Sequence, residues 1–192
     1  MDKAICKLTK LYFKIFNSAL GATNFTPEIS SISMDAANSK LAVTFNEPVF
    51  NATGGSGNLE ASDFKLSLSG GNAKLSSETP SSIVISGNTY TLGVSLTGTA
   101  NGQEVLTVLP SSSSAIYDAE NNPASITQDN LNSIFLADKT PAIIAKSNQL
   151  FNEHVDIYFD DPVYSRNSKY GKLDAFDFIY TITGVTATLA SN

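Results

Sequence analysis

From Pro27 onward, apolar and polar residues alternate with a period of two. Leu41, Val43 and Phe45 alternate with Lys40, Ala42 and Thr44; Phe64, Leu66 and Leu68 with Lys65, Ser67 and Ser69; Tyr90, Leu92, Val94 and Leu96 with Thr91, Gly93 and Ser95. Successive side chains of an extended strand point to opposite faces, so each run predicts a strand with one buried face. Ile29 with Ile32, Ile83 to Ile85, Val105 to Leu109 and Ile134 to Ala137 supply the others. Ser86-Gly87-Asn88 reads as a tight hairpin turn and Asn101-Gly102 as a second turn that favours positive φ. Asn51 to Asn58, with three glycines, reads as a flexible loop, and Leu59 to Asp63 as a single turn whose Asp63 accepts backbone N–H bonds before the next strand.

The same pattern occurs twice. A shift of 114 positions lays Thr26-Pro27 on Thr140-Pro141, Phe45-Asn46-Glu47-Pro48-Val49-Phe50 on Phe159-Asp160-Asp161-Pro162-Val163-Tyr164, and Asp63-Phe64 on Asp177-Phe178. Without a gap, 17 of 53 aligned positions are identical. Self-similarity at a fixed period is the signature of an array of one repeated unit. Three segments are expected: a leader over 1–25, a complete module over 26–139, and a partial second copy over 140–192. About seven strands in one period of 114 residues, joined by polar turns, is the count of an immunoglobulin-like Greek-key β-sandwich, which makes the fold all-β. The second copy is read as truncated after about three strands, with Phe178, Tyr180 and Ile182 still needing an opposing sheet, so the chain is expected to be a fragment.

The leader has a different period. Over residues 2–20, Lys3, Lys7, Lys10 and Lys14 fall within about 60° on a helical wheel, with Ile5, Leu8, Tyr12, Ile15, Phe16 and Ala19 spread over the other side. This is a basic amphipathic helix. A membrane-surface or targeting segment is one reading; a helix packed on the first module, or the tail of something upstream, is the other. As a secretory signal it is poor, because lysines interrupt the apolar stretch. Asn24-Phe25-Thr26 and Asn51-Ala52-Thr53 match the short N-glycosylation pattern.

The module resembles the bacterial immunoglobulin-like repeats of S-layer-type and other large surface proteins and adhesins. The resemblance rests on Val43-Thr44-Phe45-Asn46-Glu47-Pro48-Val49, Ser62-Asp63-Phe64, Ile85-Ser86-Gly87-Asn88-Thr89-Tyr90-Thr91-Leu92 and Ile116-Tyr117-Asp118-Ala119-Glu120-Asn121-Asn122. It departs from that pattern at Asn121-Asn122, where Gly-Asn is usual, and in the lysine-bearing start. The resemblance implies an extracellular or cell-surface spacer or adhesion module, without catalysis, whose partners are neighbouring repeats of the same chain. A surface glycan or protein is the further partner it admits.

Composition narrows the chemistry. The formal charge is −6; residues 1–26 carry four Lys against Asp2, leaving 8 basic and 17 acidic groups, a net of −9, over the rest. Such a body repels phosphate backbones, which argues against nucleic acid. No apolar run approaches the roughly 20 residues of a transmembrane helix. Cys6 is the only cysteine and lies outside the repeat, so there is no disulfide framework and no Cys–His pair. His154, the only histidine, falls where Lys40 fell and is expected to face outward. Neither an enzyme nor a zinc site is expected.

Calcium is the cofactor the loops admit, since hard divalent cations take oxygens from carboxylates and carbonyls. In such a sandwich the loop after the second strand and the loop before the last meet where the chain enters. That expectation gathers Glu47 with Asp118, Glu120 and Asn122, and at the top of the second module Asp138 with Asp160 and Asp161. A bound ion would neutralise repelling carboxylates and fix the angle between modules. The bland alternative is that acidic loops keep a surface protein soluble, with Asp63 and Asp177 as turn formers. A carbohydrate-binding β-sandwich module is the competing function. Phe50, Tyr117 and Tyr164 are its candidate platforms, and the chain has no Trp.

Overall fold

A computed structural model describes residues 26–128, 131–150, 154–165, 171–179 and 181. The leader over 1–25, with Cys6 and Asn24, lies outside the described residues, as do Tyr180, Ile182 and the His154 side chain. The described chain is all-β apart from two single 3-10 turns, and it divides into two compact units with the boundary between Thr140 and Pro141.

In the first unit, β1 (Ile29–Met34), β2 (Lys40–Phe45), β6 (Thr89–Gly93) and β5 (Ile83–Ser86) form one antiparallel sheet in the order β1-β2-β6-β5. β3 (Phe64–Ser69), β8 (Val105–Pro110) and β9 (Ser133–Phe135) form another in the order β3-β8-β9, and β4 (Lys74–Leu75) pairs with β7 (Leu96–Thr97). Period-two patterning decides which face is buried. Leu41, Val43 and Phe45 are at most 2% exposed, as are Phe64 and Leu66 on β3 and Leu106 and Val108 on β8. Each such side chain contributes about 1.5–3 kcal/mol by leaving water. Phe45, Phe64 and Tyr90 meet at the centre, with ring centroids 5.8–6.4 Å apart and the Phe45–Tyr90 pair edge-to-face at 87°.

The expected continuous strand from Tyr90 to Leu96 is divided. Gly93 ends β6 because its Cα faces the Ser81 and Ser82 hydroxyls, which a Cβ would meet at 2.4 and 2.5 Å, and the Gly93 backbone exchanges bonds with both serines. The chain then turns into the short β4–β7 ladder. β5 and β9 close their sheets as edges, with Val84 64% and Phe135 66% exposed.

The Asn51–Asn58 loop is not a free loop. An Ala52–Ser56 bridge folds it on itself, and Gly54 N–H donates to Asn121 Oδ1. Asn121 sits at φ 72°, a left-handed conformation that glycine adopts without strain and that asparagine tolerates best among the others. Its side chain therefore does what a glycine there does not: it ties this loop to the one at 118–122.

The end from which the first unit's chain leaves is closed by buried polar groups. Glu104 is fully buried and accepts N–H bonds from Asn72 (2.7 Å), Ala73 (2.9 Å) and Asn101 (3.0 Å). Burial pushes its carboxyl up, but the N–H groups of Ala73, of Glu104 itself, of Asn72 and of Asn101 outweigh this and hold it below the usual value. Gly71, at φ 50°, leaves the room for that carboxylate, since a Cβ there would lie 2.1 Å from it. Asn38, 2% exposed and at φ 58°, bonds the backbone of Ala137. Leu136 N–H donates to Glu104 O and Lys139 N–H to Ala100 O.

In the second unit, β10 (Ile144–Leu150) pairs with β11 (His154–Phe159). β11 sits 114 positions from β2, as the sequence predicts, but β10 does not keep that offset from β1. Ile29 pairs with Phe45, whereas Ile144 rather than Ile143 pairs with Phe159, and each pair is followed by an irregularity in register. One residue is gained before β10 and one lost between β10 and β11. Two adjacent isoleucines hide the shift in sequence. Ile157 and Phe159 are half-buried, and Val155, expected on the same inward face, is 55% exposed. Among the described residues this unit has one two-stranded sheet and no second sheet to cover it.

The turn that precedes Phe64 recurs before Phe178, where Asp174 Oδ1 additionally accepts Phe176 N–H at 2.8 Å. Ala61–Asp63 and Ala175–Asp177 are 3-10 turns in which Asp63 Oδ2 accepts Glu60 N–H (2.7 Å) and Asp177 Oδ2 accepts Asp174 N–H (3.0 Å). Phe178 follows and packs on Phe159 at 6.3 Å and 40°, beside 6.4 Å and 51° for Phe64 on Phe45.

Candidate cation site

Glu47 lies two residues beyond β2 and is held from both sides. Asn46 Oδ1 accepts Glu28 N–H (2.9 Å) and Asn46 N–H donates to Glu28 O, fixing it against the incoming chain. Val49 is buried and its carbonyl accepts the Tyr90 hydroxyl (3.3 Å). Phe50 and Tyr117 then exchange two backbone bonds of 2.8 Å, which joins this segment to the loop before β9.

On the other side, Ile116 anchors in the core and Asp118 follows, 1% exposed. Asn122 closes the loop over it: its N–H donates to Asp118 Oδ1 (2.7 Å) and its side-chain amide to Oδ2 (2.6 Å). Glu120 stands exposed between them.

These placements bring carboxylate oxygens of Glu47, Asp118 and Glu120 within 4.8 Å of one another. At an effective dielectric near 20, two unit charges at that separation repel by roughly 3 kcal/mol. Among the described residues the one Lys–carboxylate ion pair is Lys65–Glu78, so no cation among them is paired with this group. Glu47 Oε1 is buried without a hydrogen-bond partner, an arrangement that costs energy unless something supplies positive charge. Burial first, then the charges of Asp118 and Glu120, push the Glu47 carboxyl up. Three hard oxygen donors with the Asp118 loop already closed suit a cation such as calcium; filling its coordination sphere would take carbonyl oxygens or water in addition.

Of the remaining residues expected to bind a metal, Asn122, Asp138 and Asp160 have partners within their own units. Asn122 serves as the cap of Asp118. Asp138 belongs to the first unit, where Oδ1 accepts the Thr140 N–H (2.7 Å) and hydroxyl (2.6 Å); these bonds hold its carboxyl below the usual value. Asp160 and Asp161 belong to the second unit. Asp160 Oδ1 accepts Ile143 N–H (2.8 Å), in the manner of Asn46 with Glu28, and Asp161 is half-buried. Of the aromatic candidates, Phe50 and Tyr117 are half-buried beside each other, and Tyr164 in the second unit is 45% exposed.

No protein-family model and no curated protein matches the chain. Among solved structures it is similar to the N-terminal part of the bacterial S-layer protein SbsC, with 22% identity and a TM-score of 0.43. The alignment covers 81% of this chain and 35% of that one, so the match spans about a third of that N-terminal part. Among the described residues no helix is long and apolar enough to cross a membrane.

Proposed function

We propose that the chain carries immunoglobulin-like modules, over 26–139 and from 140 onward, strung in series in an extracellular or cell-surface protein, where they act as spacers or adhesion modules without catalysis. The strand orders support the module type. Counting β1, β2, β3, β5, β6, β8 and β9 as strands A to G gives A-B-E-D and C-F-G, the two sheets of an immunoglobulin constant-type sandwich. The serial reading is carried by one observation, the matched pairs Phe45–Phe64 and Phe159–Phe178, each following an acid-capped 3-10 turn.

Calcium is the ion we assign to Glu47, Asp118 and Glu120, and its work is to stiffen the end at which the chain enters the first module. Calorimetric titration and melting of the 192-residue chain test this. A saturable heat and a raised melting temperature at millimolar calcium support it. No heat and no shift would leave the acidic loops as a solubilising surface. A glycan array tests the function itself: selective binding of one glycan class would replace the spacer reading with carbohydrate recognition.

A further inference from the structure

Asn101-Gly102 lies in the polar turn that enters β8, and four features of this turn bear on its chemistry. Gly102 is at φ 77°, and its backbone N–H makes no hydrogen bond among the described residues. Asn101 Oδ1 accepts the N–H of Gln103 at 3.2 Å. A donor on the amide oxygen stabilises the negative charge that develops there when the carbonyl carbon is attacked. Asn101 and Gly102 are half-buried and Gln103 is exposed, so water reaches the turn. With no Cβ on Gly102, nothing of its own side chain crowds the approach of its nitrogen to the neighbouring amide.

We propose that Asn101-Gly102 is a self-modification site at which the folded chain converts its own amide to a carboxylate. The Gly102 nitrogen bonds to Asn101 Cγ and gives up its proton. The Cγ–Nδ2 bond breaks, the nitrogen leaves as ammonia, and a five-membered succinimide ring remains. Water then adds to either ring carbonyl and opens the ring to aspartate or isoaspartate at position 101. No oxidant, metal or second protein is required.

The consequence follows from what surrounds the turn. Asn101 N–H donates to both oxygens of Glu104, at 3.2 and 3.0 Å, and a Cβ on Gly102 would touch Asp138 Cβ at 3.2 Å. A new carboxylate at position 101 therefore enters a turn that already holds Glu104 and adjoins Asp138, and like charges at such separations repel. Isoaspartate also lengthens the backbone of a turn that starts at Ala100, whose carbonyl accepts Lys139 N–H. Both products loosen the bonds that hold Asn72, Ala73, Leu136 and Lys139, so the reaction acts as a slow timer on the end from which the chain leaves the module.

The test is ageing of the intact folded chain in mildly alkaline buffer, followed by peptide mapping with a digest that distinguishes isoaspartate. The expected result is loss of the amide at position 101 ahead of every other asparagine, with isoaspartate present. Asn101→Gln is expected to abolish the acid form, because the longer side chain would have to close a larger ring. Asn101→Asp is expected to melt several degrees below the parent. Conversion of another asparagine first, or reaction at position 101 only after unfolding in urea, would overturn the site. An Asn101→Asp protein that melts with the parent would overturn its effect on the fold.

Discussion

The side chain of Asn38 is paired with the backbone of Ala137 in both directions: Nδ2 donates to the Ala137 carbonyl at 2.7 Å, and Oδ1 accepts the Ala137 N–H at 2.8 Å. One amide, in the turn between β1 and β2, thus substitutes for a strand partner of the last residues of the module, 99 positions away. Asn38→Ala should remove both bonds and place at φ 58° a residue that tolerates the left-handed conformation less well than asparagine, for a loss of about 3 kcal/mol. Asn38→Gly keeps the backbone and loses only the bonds, so about 2 kcal/mol is expected. Urea unfolding at constant m reads the difference, and equal losses would show that the bonds, not the backbone, account for everything.

Glu104 contributes to the acid response of the module. Its folded carboxyl lies below the unfolded value, so its contribution is complete above the unfolded value and is lost as pH falls through the folded one. Glu104→Gln is expected to cost about 2–4 kcal/mol at neutral pH, because an amide cannot accept all three N–H groups. It should also flatten the fall of stability in acid, measured as the urea midpoint between neutral pH and the carboxylate range. A variant with the parent's full acid slope would assign that slope to other carboxyls, such as Asp35, which burial raises but Ser39 and Lys40 hold down on balance.

Glu47 works in the opposite sense. With its carboxylate repelled by Asp118 and Glu120 and Oε1 unpartnered, removing its charge should stabilise the calcium-free protein. Glu47→Gln is expected to raise stability by about 1 kcal/mol without calcium and to abolish the calcium-dependent rise in melting temperature. Loss of stability in both conditions would mean that Glu47 is a packing residue.

Asn121 separates backbone from side chain. Asn121→Gly preserves the left-handed turn and releases Gly54; Asn121→Ala strains the turn as well, for about 1–2 kcal/mol more. Limited proteolysis within 51–58 should accelerate in both variants, while melting should fall further in the alanine variant.

Much of this architecture could be read before any coordinates. The inward sets on β2 and β3 follow from alternation alone; on β8, Val105 and Leu109 are apolar on the outward parity, so its buried face does not declare itself. Bringing Glu47 to Asp118 and Glu120 required only the topology. Asn122 falls in that group by sequence, and its N–H and side-chain amide donate to Asp118, a local closure that loop composition does not reveal. Glu104 shares the parity of the buried Leu106 and Val108, but its polar neighbours Asn101 and Gln103 give it the composition of a turn residue. The Asn38–Ala137 pairing was not legible, since a turn asparagine carries no record of what lies 99 residues on.

The uncovered edges have a practical result. Among the described residues no strand pairs with the outer side of β5 or β9; β5 presents Ile83, Val84, Ile85 and Ser86 without a charge there, and β9 presents Phe135. Unpaired, uncharged strands are templates for another chain, so concentrated preparations will first aggregate there, and Val84→Lys is the substitution that should keep them monodisperse.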